Sequence, residues 1–280
     1  MKLRLFKSLS AVVGAALILC VPVAAQAGAI FLTGHDPDFH AQGETGAANL
    51  LRAGLNFVTG GTYNSSTSSA KFLWVESDRS VPGGHLYGQD ALTGALGLSL
   101  GTDFDRVNGV GFASVNLANY SAIAIASNFG GTLRRAELDA LIARSADIAA
   151  FINGGGGLFA SSECDDCGAD LLGLNPNLFG YLPITVTSIG ASGPFSVTPY
   201  GATTFGLTNS DLNSPTHNSF GLTGGLNIVD TDSRGNATTL AGNVTVGCGG
   251  FCGEVPEPGS LPLVGLAFAG LAAAGLRRRS

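Results

Sequence analysis

Two short apolar runs with a helix between them constrain this chain more than any other feature. Tyr120 to Ser127 reads YSAIAIAS, and Leu158 to Ser162 reads LFASS. Runs of this length without charge fit strands buried on both faces. Between them, Thr132 to Ile152 carries Leu138, Leu141, Ile142, Ile148 and Ile152 at helical spacing, with Thr132 placed to cap its start. Gly154 to Gly157 stop the helix. A strand, a long helix and a second strand must pair in parallel through a right-handed crossover. The pattern recurs upstream: Ala29 to Gly34 is a strand, Gly46 to Val58 a helix ended by Gly60-Gly61, and Lys71 to Glu76 a strand. Together they predict an open, doubly wound, mostly parallel α/β sheet. Ile184–Thr187, Phe195–Thr198, Ile228–Asp230 and Thr238–Ala241 add short strands near the C-terminus, which either extend the sheet or form an antiparallel edge.

The two ends of the chain have a different grammar. Residues 1–27 begin with Lys2, Arg4 and Lys7, continue through an apolar stretch, and finish on Ala25-Gln26-Ala27. That is the pattern of a signal peptide cut by signal peptidase. At the other end, Val255-Pro256-Glu257-Pro258 precedes the uncharged stretch 260–276, and Arg277, Arg278 and Arg279 follow it. Pro256 and Pro258 break the tail from the body. Seventeen uncharged residues make a helix of about 25 Å at 1.5 Å per residue, which spans a bilayer if the arginines reach the interface. The positive-inside rule leaves those arginines in the cytoplasm and the body outside. The order of Pro-Glu-Pro, apolar helix and arginine cluster resembles the PEP-CTERM sorting signal. The resemblance implies export through the inner membrane, anchoring by the C-terminal helix, recognition by exosortase, and delivery to the cell surface or to an exopolysaccharide matrix. The expected organisation is a signal peptide at 1–27, an exported α/β domain at 28–245, a linker at 246–254 and a sorting tail at 255–280 whose transmembrane helix covers about 260–276.

Residues 28–254 hold 8 Lys and Arg against 19 Asp and Glu, a net charge of −11. Such a surface repels phosphate backbones and argues against a nucleic-acid partner. Cys164, Cys167, Cys248 and Cys252 survive removal of the signal peptide. An even number in an exported chain favours disulfides. Two local bridges or bridges between the pairs satisfy the spacing equally.

Ligands of doubly wound sheets bind beyond the carboxyl ends of the strands, and two constellations fall there. His35, Asp36, Asp38 and His40, joined by Glu76, offer imidazole and carboxylate ligands for a divalent metal. Ser161 or Ser162 with Glu163 and His217 offers a nucleophile, a base and a carboxylate for hydrolysis. The same residues also serve simply to satisfy backbone groups at strand ends. In that case the body is a non-catalytic module that binds envelope or matrix carbohydrate. Thr33-Gly34-His35 after the first strand, and the glycines before LFASSE, resemble the class I glutamine amidotransferase-like superfamily and its ThuA-like branch. The resemblance implies a flavodoxin-like sheet over roughly residues 29–245. It does not carry over the family's nucleophile, because Ser161-Ser162-Glu163 stands where a cysteine flanked by glycines is required.

Overall fold

In a computed structural model, residues 27–61, 71–77, 88–128, 133–162, 178–182, 186–212 and 218–247 are described. The N-terminal half alternates strands and helices. The strand β1 (Ala29–Thr33) leads through α1 (Pro37–His40) and α2 (Thr45–Thr59) to β2 (Phe72–Val75). A short α3 (Gly88–Asp90), continued by a π-helical turn over Ala91–Ala95, leads to β3 (Phe104–Val107). Next come α4 (Gly109–Phe112), β4 (Ala122–Ile125), α5 (Arg135–Ala143), α6 (Ser145–Asn153) and β5 (Gly157–Ser161). The C-terminal half holds β6 (Val186–Gly190), β7 (Ser196–Val197), α7 (Pro199–Phe205), β8 (Asn218–Thr223), β9 (Asn227–Thr231) and β10 (Ala237–Asn243).

The ten strands among the described residues join one sheet, in the order β3-β2-β4-β5-β1-β10-β8-β6, with β9 on β10 and β7 on β9. The first five run parallel. From β10 outward the pairing is antiparallel. The expected parallel, doubly wound half is therefore present, and the later strands extend it as an antiparallel half. Two strands of that sheet escape the sequence reading. β3 reads FDRV, and its polar Asp105 and Arg106 hide the pattern; β8 begins with Asn218-Ser219.

Alternation along each parallel strand divides the core in two. Phe31, Phe72, Trp74, Phe104 and Phe159 face α2, while Ile30, Leu32, Leu73, Val75, Ile123, Ile125 and Leu158 face α5 and α6. Burial on both faces explains why these strands lack the in-out alternation of a half-exposed sheet. α2 lies close on its face because residue 54 is glycine; a Cβ there would stand 2.6 Å from the Phe159 ring. Gly60 caps α2 in the left-handed conformation, as expected from the sequence.

The long helix expected over Thr132–Ile152 is broken. Arg144 leaves helical geometry at φ −108° and ψ 20°, and its guanidinium donates to the carbonyls of Phe112 and Val115 beyond the short α4. Phe112 ends α4, where a carbonyl lacks an intrahelical partner, and the Val115 amide also turns back to it. Its start also differs: α5 begins at Arg135, and the Glu137 carboxylate accepts from the Arg134 and Gly109 amides, so one side chain caps both α5 and α4. Among the described residues no helix is long and apolar enough to cross a membrane. The signal stretch up to residue 26, the four cysteines and the tail from Val255 lie outside them.

Candidate functional site

The carboxyl ends of β1, β4 and β5 meet the start of β8 and the hairpin of β9 and β10, and polar side chains are buried where they converge. β1 supplies Thr33, His35, Asp36 and Asp38; the end of β4 supplies Ser127 and Asn128; β5 supplies Ser161 and Ser162. The antiparallel half supplies Asn218, Asp230, Thr238 and Thr239. All are buried. Such a concentration of polar groups is costly unless each finds a partner.

Backbone bonds fasten the two halves together here. The Gly34 amide donates to the Thr238 carbonyl at 2.8 Å, and the Asn218 amide donates to the Gly34 carbonyl at 3.3 Å. Residue 34 has to be glycine, because a Cβ would lie 2.0 Å from the Asn218 carbonyl oxygen. A chain of side-chain bonds runs alongside. The Thr33 and Thr239 hydroxyls are 3.0 Å apart. Thr239 donates to Asp230 Oδ2 at 3.1 Å, and Thr238 donates to Asp230 Oδ1. The same Asp230 Oδ2 lies 3.2 Å from His35 Nε2. Nε2 makes no aligned hydrogen bond there. Phe195 closes one side, its ring edge-on to His35 with centroids 5.2 Å apart.

The segment HDPDFH becomes a single helical turn, with Pro37 in its first positions. Its carboxylates have separate fates. Asp36 Oδ2 lies 3.3 Å from His40 Nε2, and His40 Nδ1 lies 3.2 Å from Glu44. Asp38 reaches across to β4, where its Oδ2 accepts from the Ser127 amide at 2.8 Å and the Ser127 hydroxyl at 2.9 Å. Burial pushes the Asp38 carboxyl up to about 6; the Ser127 bonds oppose the shift and the neighbouring Asp36 charge adds to it.

Three of these side chains carry polar atoms with no hydrogen bond among the described residues: His35 Nδ1, Asp38 Oδ1 and Ser161 Oγ. Ser161 sits opposite Thr33 in the β1–β5 register. It is therefore a strand residue and not the apex of a tight turn. Ser162 continues the ladder, its amide and hydroxyl both directed at the Thr33 carbonyl.

Glu76 goes elsewhere. It accepts from the Trp74 indole at 2.9 Å, the Gln89 amide at 3.2 Å and the Arg106 guanidinium. These bonds lower its pKa, yet burial outweighs them and raises it. Glu76 thus joins β2 to β3 as a buried ion pair and stands apart from the His35 cluster. Among the described residues no three His, Cys, Asp or Glu side chains are grouped to hold a metal ion. Of the five expected metal ligands, Asp36 and His40 stay together beside Glu44, while His35 faces Asp230, Asp38 binds Ser127 and Glu76 pairs with Arg106. Of the expected hydrolytic set, Ser161 and Ser162 lie at this edge; Glu163 and His217 fall outside the described residues.

Asp230 is the residue that sequence reasoning missed as a site residue. It reads as the end of the strand Ile228–Asp230 and the start of the turn Asp230–Asn236. Its strand partner in the hairpin is Thr239, and two adjacent threonines across from a buried-strand aspartate are the signal that could have found it. The neighbouring Asp232 is a turn residue, accepting from the Arg234 and Asn236 amides at 2.9 and 2.8 Å.

The comparison with known families decides one point. Residues 254–279 match the PEP-CTERM protein-sorting motif. The chain carries a PEP-CTERM sorting signal. The signal implies export and sorting by exosortase, with the motif as the membrane-anchored part of the protein. No curated protein and no solved structure matches the chain. What the body in front of the PEP-CTERM signal does is thus a matter of its own residues.

Proposed function

We propose that this is a non-catalytic protein of the cell envelope or exopolysaccharide matrix, displayed by its PEP-CTERM signal, whose body binds carbohydrate at the carboxyl ends of the parallel strands. The observation that carries the reading is the set of buried, unbonded atoms on His35, Asp38 and Ser161. A buried polar atom without a partner costs about 1–3 kcal/mol. Three together at the edge where doubly wound folds bind ligands are better explained by a ligand than by packing. Mixed Asp, Asn, Ser and His side chains suit sugar hydroxyls, which donate and accept at once. Removal of the tail by exosortase would free the mature protein at the surface.

One observation favours catalysis instead. His35 has Asp230 at its Nε2, and a carboxylate so placed readies an imidazole as a base. Ser161 would then be the nucleophile. The two readings part on one experiment, in which the purified protein is incubated with a glycan library and both retention and cleavage are followed. The binding reading expects retention of intact glycan, lost in Ser161→Ala. Release of shortened products, abolished by the same substitution, would replace it with a hydrolase.

A further inference from the structure

Resting on that carbohydrate reading, we infer that the site takes uncharged, hydroxyl-rich sugars and rejects acidic ones, and that Asp38 sets this preference. Three carboxylates, Asp36, Asp38 and Asp230, are buried around the unbonded atoms. Asp38 and Asp230 accept hydrogen bonds from neutral donors: Ser127 for one, Thr238 and Thr239 for the other. Asp230 also faces His35 Nε2 at 3.2 Å. The free Asp38 oxygen is an acceptor, so the group that meets it must donate. A sugar hydroxyl does so without bringing charge. A uronate or sulfate would place a second anion against buried carboxylates, where low polarity strengthens repulsion and desolvation adds its own penalty.

Asp38 offers a switch by which the inference can be broken. Its Oδ2 holds both Ser127 donors, and its Oδ1 is the unbonded atom. In Asp38→Asn the amide oxygen takes the place facing Ser127, which leaves the NH2 group where the free oxygen was. The acceptor becomes a donor and one negative charge disappears.

The test measures calorimetric binding of the full exported chain in detergent to two hexasaccharides, one of neutral N-acetylglucosamine and one of galacturonic acid. Wild type, Ser161→Ala and Asp38→Asn are compared, with thermal melts to establish that each variant is folded. The expected result is that wild type binds the neutral hexamer at least tenfold more tightly than the acidic one. In Asp38→Asn the ratio should fall by tenfold or more, about 1.4 kcal/mol. In Ser161→Ala, neutral binding should weaken. A wild type that prefers the acidic hexamer, with binding lost in Ser161→Ala, would overturn the charge preference and leave the site standing. Binding of neither hexamer, or affinity unchanged in both variants, would overturn the site and the preference together.

Discussion

The two edges of one sheet differ in what they bury. At the amino ends of the parallel strands the polar groups are satisfied in simple ways. The Gly28 amide donates to the Ile152 carbonyl, the Gly157 amide to the Ser121 carbonyl, and Asn153 exchanges two bonds with the backbone of Val246. An open groove of about 950 Å³ lies there, lined by Gly28, Tyr120, Arg144, Gly154 and Asn243 among others. Both ends of the body emerge at this edge, since Ala29 pairs with Asn243 across β1 and β10. At the carboxyl ends, carboxylates, an imidazole and hydroxyls are buried, and three of them keep an unbonded atom. The groove marks the edge where the body's two ends emerge, while the unpaired polar atoms concentrate at the other.

Breaking each edge should expose the contrast. The largest effect is expected from Asp230→Ala, which leaves Thr238, Thr239 and His35 facing a void: a loss of about 3–5 kcal/mol, the usual result of removing one member of a buried polar network. Denaturant titration checks it, and a loss below about 1 kcal/mol would mean that the network does not hold the halves together.

Asp38 comes next, through pH. Its carboxyl titrates at about 6 in the fold, against 3.8 for an aspartate free in water. Between those values the folded protein keeps a proton that the unfolded chain releases, so stability falls as pH rises through the window. At 1.36 kcal/mol per pH unit the loss approaches about 3 kcal/mol by neutral pH. Asp38→Asn, which retains an acceptor for Ser127, should flatten that dependence and gain stability over wild type more at pH 7.5 than at pH 4. Parallel pH profiles for the variant and wild type would contradict this. At the opposite edge, Asn153→Ala removes two ordinary hydrogen bonds and should cost about 1–2 kcal/mol, with no effect on glycan binding.

The sequence made the parallel half legible because its strands are buried on both faces and its helices obey one period. It also placed His35, Asp36, Asp38, Ser161 and Ser162 at strand ends, where they are found. It failed where long-range pairing decides the outcome. Arg144 breaks a periodic helix because carbonyls 29 and 32 residues upstream need its guanidinium. Glu76 looks like a site residue until Arg106 arrives from β3. Asp230 has only a faint signature, the two threonines across its own hairpin, since its partner His35 arrives only when the antiparallel half closes on β1. The sorting tail was legible because proline, apolar length and arginine act locally, without a fold to assemble them.

Ser161→Ala separates a ligand site from a structural cluster most directly. Its hydroxyl has no bond among the described residues, so a purely structural cluster gives it nothing to do, and removing it should leave stability unchanged or raise it by up to about 1 kcal/mol. Measured together by thermal melt and by calorimetry with the neutral hexasaccharide, the variant should be at least as stable as wild type and bind about tenfold more weakly. Wild-type affinity in the variant, or a loss of stability with it, would contradict the account.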